Sequence, residues 1–75
     1  MKKIVKGLLY DTDTAELIYF EESTKRKLYR TPKGRFFIAY PNGVVTPKTD
    51  EETMAYLGER DAEKYIEVFG VVEEA

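Results

Sequence analysis

Two short clusters hold the residues of this chain best placed to do chemistry. One is Asp11-Thr12-Asp13-Thr14, where oxygen ligands two apart resemble a fragment of a divalent-cation loop. The other is Lys25-Arg26-Lys27, continued by Arg30, Lys33 and Arg35 with Tyr29 and Phe37 interleaved. Cations at that density can follow a phosphate backbone, and aromatic rings between them can stack a base. A third group is acidic: Asp50, Glu51, Glu52, Glu59, Asp61, Glu63, Glu67, Glu73 and Glu74 crowd the last third of the chain. Such acids suit either a solvated helix face or an imitation of the charge of DNA.

What is missing narrows the chemistry further. The 75 residues include no histidine and no cysteine. Serine–histidine and cysteine–histidine catalysis, zinc fingers and thiol redox sites are therefore excluded. A calcium loop of the EF-hand type needs further ligands, a central glycine and a terminal glutamate in a 12-residue frame, and counted from Asp11 the central position is Glu16, so that frame is missing. Turn capping is the better reading of that cluster, and no metal or cofactor is expected. Paired-carboxylate hydrolysis requires two acids facing each other across a pocket. The fourteen Asp and Glu mostly fall on expected solvent faces, and so small a domain has little room for a substrate cavity. The chain reads as a binding module and not as an enzyme.

Charge is unevenly distributed. Residues 1–47 hold nine Lys or Arg against five Asp or Glu; residues 48–75 hold three against nine. The halves carry +4 and −6 within a net charge of −2. Attraction between the halves and ordinary solvated surface account for much of this, and a charged partner is the alternative. No apolar run reaches the ~18 residues of a membrane span, and Lys6, Gly7 and Asp11 interrupt the one that follows the first residues. A cytoplasmic protein is expected.

The elements that must position these groups divide into a β-rich part, residues 1–47, and a helical part, 48–75, within one domain. Residues 2–9 read as a strand interrupted at Gly7, residues 11–14 as a polar break, and 15–22 as a second strand. Residues 27–31 and 35–40 form a hairpin about Pro32-Lys33-Gly34. Alternation sets Phe36, Ile38 and Tyr40 on one face of the second arm and Phe37 and Ala39 on the other, as in a central strand covered on both sides. Pro41-Asn42-Gly43 marks another turn, and residues 44–46 a short extension. Thr49 and Glu52 form a capping box for a helix over 50–57 stopped by Gly58. Asp61 caps a second helix that ends at Phe69 before Gly70, with Ala62, Tyr65, Ile66 and Phe69 as its apolar stripe. The expected fold class is α+β: a small antiparallel sheet of three to four strands packed against a C-terminal two-helix unit. Its expected core is Ile4, Leu8, Ile18, Phe20, Leu28, Phe36, Ile38, Leu57, Tyr65, Ile66 and Phe69.

Three stretches in order, YDTDTA at 10–15, LYRTPKGRFF at 28–37 and DAEKYIEVFGVVEEA at 61–75, resemble a family of small proteins from phages and integrative elements of Firmicutes-like bacteria. The likeness covers most of the chain. In many members of that family a longer insertion separates hairpin from helices, whereas residues 41–49 join them directly here. The resemblance implies an accessory protein of a mobile element, of the kind that includes inhibitors of bacterial defence and anti-CRISPR proteins. The expected partner is a host protein, for instance a defence nuclease, with the protein itself monomeric or homodimeric. The candidate contact residues are the basic set Lys25, Arg26, Lys27, Arg30, Lys33 and Arg35 and the acidic set Glu59, Asp61, Glu63 and Glu67. Direct binding of nucleic acid by the hairpin at 25–35 is the alternative.

Overall fold

The computed structural model describes residues 1–75 and has the expected α+β architecture. Six strands precede two helices: β1 (Lys2–Val5), β2 (Leu8–Asp11), β3 (Glu16–Glu21), β4 (Arg26–Arg30), β5 (Phe36–Ala39), β6 (Val45–Lys48), α1 (Asp50–Arg60) and α2 (Ala62–Phe69). Strands β3 to β6 form an antiparallel meander in chain order, while β1 and β2 pair only with each other.

Residues 2–9 are therefore not one interrupted strand. Lys6 and Gly7 both take positive φ, 50° and 78°, the backbone of a two-residue hairpin turn whose twist matches its flanking strands. The turn folds β2 back on β1, with Ile4 opposite Leu9 and Lys3 opposite Tyr10.

The strand expected to be central is central. β5 lies between β4 and β6, and all four of its residues are buried. On one face Phe36 and Ile38 join Ile18, Leu28 and Leu57, with Tyr56, Tyr65, Val68 and Phe69 of the helices packed against them. On the other face Phe37 and Ala39 join Tyr10 of the small hairpin, flanked by Val5, Ala15, Tyr29 and Val45. The sheet is thus the middle layer, with helices on one side and β1–β2 on the other.

That arrangement corrects four expected core positions. Ile4 is 76% exposed because it points away from the sheet, beside Leu9, on the outer side of the hairpin. Leu8 is exposed at the groove beside β2. Phe20 lies opposite Lys27, on a part of the sheet's second face that the hairpin does not cover, and is 39% exposed. Ile66 is exposed because α2 is rotated: Tyr65, Val68 and Phe69 face the sheet while Ala62 and Ile66 face out. In their place Tyr10, Phe37, Ala39 and the hydroxyl-bearing Thr53 are buried.

The helix starts follow the sequence closely, the first stop does not. Thr49 Oγ1 accepts from the Glu52 N–H (3.1 Å) and Glu52 Oε1 accepts from the Thr49 N–H (2.9 Å), the reciprocal capping box. Replacing Thr49 with Ala is expected to destabilise the fold by about 1 kcal/mol, read as a lower urea midpoint at unchanged slope. Helix α1 passes through Gly58 and ends at Asp61, three residues beyond the expected stop. Gly58 has no positive φ and stays helical, with the Tyr65 ring of α2 beside it. The break comes at Asp61 instead, whose extended backbone (φ −153°) places its carboxylate to accept the Lys64 N–H and start α2.

Candidate interaction surfaces

The six basic residues between 25 and 35 do not form one patch. Successive strand residues point to opposite faces, so β4 divides them. Arg26 lies on the helix side with its guanidinium 5.0 Å from the Tyr40 ring centroid. Arg30 is held by Glu16 on the neighbouring strand at 2.9 Å. Lys25, at positive φ in the β3–β4 turn, pairs with Glu22 at 2.7 Å and lies 5.7 Å from the Phe20 ring centroid. Arg26, Lys27, Lys33 and Arg35 form no ion pair. Lys27 is on the second face of the sheet, between Phe20 and Ala39; Lys33 and Arg35 are at the β4–β5 turn.

The aromatic residues assigned to base stacking are altered as well. Phe37 is wholly buried and cannot meet a ligand. Tyr29 lies nearly parallel to it (13°) with centroids 5.2 Å apart, so one aromatic serves as the floor for the other. The aromatic that replaces Phe37 at the surface is Phe20. Together Phe20, Lys25, Lys27, Tyr29, Ala39 and Tyr40 line much of a groove of about 460 Å³ on the second face.

A second groove, about 370 Å³, runs between β2 and the β4–β5 turn, where Leu8, Leu9 and Asp11 face Pro32, Lys33 and Arg35. Leu8 and Leu9 are 41% and 56% exposed, and Ile4 stands across from Leu9. These aliphatics were not among the expected contact residues. Their signal in the sequence is the pair Lys6-Gly7, which converts one strand into a hairpin and turns Ile4 and Leu9 outward.

The acidic set is likewise dispersed in role. Asp61 is committed to the start of α2. Glu67 pairs with Lys64 at 3.0 Å, and Glu59 makes a longer contact of 3.7 Å to Arg60. Glu63 is exposed and forms no ion pair. Asp11 accepts the Asp13 N–H at 3.0 Å, the turn capping expected of that cluster. No three acidic side chains converge to hold a metal ion.

The perturbed groups at the sheet edge are structural. Glu21 on β3 accepts from Arg60 Nε (2.7 Å), Thr24 Oγ1 (2.7 Å) and the Tyr56 hydroxyl (3.2 Å). The hydrogen bonds from Arg60 and then Thr24 hold its carboxyl below the ordinary value of 4.5. Burial, then the charge of Glu21, push the Tyr56 phenol up to about 12. This cluster ties the end of α1 to the edge of the sheet and faces no large cavity; the groove it borders is only about 120 Å³.

No helix is long and apolar enough to cross a membrane. No known family model, curated protein or solved structure matches the chain.

Proposed function

We propose that this chain is a non-enzymatic protein-binding module carried by a mobile element, acting in the host cytoplasm to block a defence nuclease such as a CRISPR effector. One observation carries the reading: the outer side of β1–β2 presents Ile4 and Leu9 as a solvent-facing cross-strand pair, 76% and 56% exposed. Small domains have little apolar surface to spare, and aliphatics placed together in water mark a surface that another protein covers. The flanking Lys33 and Arg35, both without carboxylate partners, add a polar rim of one sign. The acids of the chain are engaged in caps and ion pairs or solvated singly, an arrangement suited to a scaffold and not to proton transfer. The resemblance of the 10–15, 28–37 and 61–75 stretches to mobile-element proteins supplies the setting.

The test is capture of host proteins on the tagged chain, with and without nuclease, together with a phage or plasmid survival assay. One effector retained after nuclease treatment, with survival restored in cells that express the chain, is the expected result. Loss of every partner on nuclease treatment, or no gain in survival, overturns it. A second reading has its own observation: Lys25 and Lys27 beside Phe20 and Tyr29 in the 460 Å³ groove. Direct nucleic-acid binding there predicts affinity that falls steeply with salt and is lost in Lys25→Glu/Lys27→Glu.

A further inference from the structure

Resting on the reading of this chain as a protein-binding module, we infer that the groove beside β2 accepts an extended segment of the target, apolar and then acidic, as an added strand. The argument begins with the sheet edges. An edge strand offers unpaired N–H and C=O groups, and proteins usually block them. Both edges of the four-stranded sheet are blocked. The register of β3 shifts between Leu17 and Tyr19, and β6 carries Pro47 in its middle. β2 has neither device. Beyond its ladder with β1, its only backbone hydrogen bond is from the Ala15 N–H to the Asp11 carbonyl.

The free side of β2 is also where space exists. The 370 Å³ groove is lined by β2, the following turn and the β4–β5 turn, with no residue of β1. Its floor supplies Leu8 and Leu9 for apolar side chains of an incoming strand. Its far bank supplies Lys33 and Arg35, exposed and free of ion pairs, for carboxylates. The one acid on the near bank, Asp11, is 6% exposed, accepts the Asp13 N–H and forms no ion pair with either cation. Backbone pairing sets affinity in such strand addition, and the side-chain pockets set preference. Charge complementarity therefore selects an acidic partner over a basic one.

The experiment is selection of a random peptide library on the folded full chain and on Lys33→Glu/Arg35→Glu, two exposed turn substitutions whose folding is checked by circular dichroism. The expected result is enrichment of extended apolar–acidic peptides by the unmodified chain. The double variant should bind those peptides about tenfold more weakly and favour basic residues at the same positions. A selected peptide should also slow hydrogen exchange at alternate amides of Leu8–Asp11. Peptides of basic or helical pattern, selection unchanged by the two reversals, or protection elsewhere overturn the inference while leaving a host partner possible at another surface. So does occupation of the groove by a second copy through its exposed Val71 and Val72, seen as a mass that grows with concentration and reverts when residues 71–75 are deleted.

Discussion

Phe37→Ala is expected to leave most of the protein unfolded at room temperature. Phe37 has no exposed surface and is the aromatic around which the second face of the sheet is built. Tyr10 meets its ring at 70° with centroids 5.3 Å apart, and Tyr29 stacks on it at 5.2 Å. Truncation removes the ring and both aromatic contacts, and the gap lies between two layers that cannot close independently. Phe-to-Ala changes in cores cost about 3–5 kcal/mol. A domain of this length has roughly 4–11 kcal/mol to lose, and small domains lie near the lower figure. The loss also frees the β1–β2 hairpin, which has no other aromatic anchor on the sheet and is too small to hold alone. Urea unfolding followed by circular dichroism checks the expectation. Phe20→Ala is the control: the ring is 39% exposed, and its removal should cost less than about 1 kcal/mol. Equal losses at the two positions would mean that the second face is not a core.

That contrast also marks how far the sequence could be read. Alternation along 36–40 places residues on both faces of a strand and correctly gives β5 a layer on each side. The capping box at Thr49–Glu52 and the cap at Asp61 are local chemistry, complete within four residues, and were legible for that reason. What covers the second face was not legible, because it depends on Lys6, a non-glycine residue at positive φ, completing a turn with Gly7. Once that turn forms, Ile4 and Leu8 move from expected core to surface. The basic run failed as a single site for the opposite reason. Adjacency in sequence became separation in space when β4 sent its alternate residues to opposite faces. Gly58 shows that a helix-stop residue needs a positive φ to act as one; here it stays within the helix, beside Tyr65 of α2.

The second large effect belongs to Glu21, and it carries a pH signature. Three donors converge on this carboxylate, which joins β3 to the last turn of α1 through Arg60 and Tyr56. Arg60 is doubly placed, with its guanidinium 3.9 Å from the Tyr56 ring centroid. Glu21→Gln keeps the shape and loses the charge, so a destabilisation of about 1–2 kcal/mol is expected at neutral pH. Glu21→Lys sets two cations together and should cost about 2–3 kcal/mol. The folded-state carboxyl of Glu21 titrates below its ordinary value of 4.5, chiefly through the Arg60 hydrogen bond. Its stabilisation is therefore fully present above the unfolded value and is lost as pH falls through the folded one. Glu52 is depressed too, by its bond from the Thr49 N–H, so acid sensitivity of the whole protein does not isolate Glu21. The difference between the unmodified chain and Glu21→Gln does, because Glu52 is common to both. That difference should be constant near neutrality and shrink below about pH 4.5. At the alkaline end the sign reverses. Tyr56 is raised to about 12 from 10, so its contribution is complete below pH 10 and lost as pH climbs toward 12. Its phenol should ionise well above the ordinary value of 10 in an absorbance titration, and earlier in Glu21→Gln, where the neighbouring negative charge is gone. A stability difference that stays flat down to pH 2 would show that Glu21 holds α1 to the sheet by shape alone.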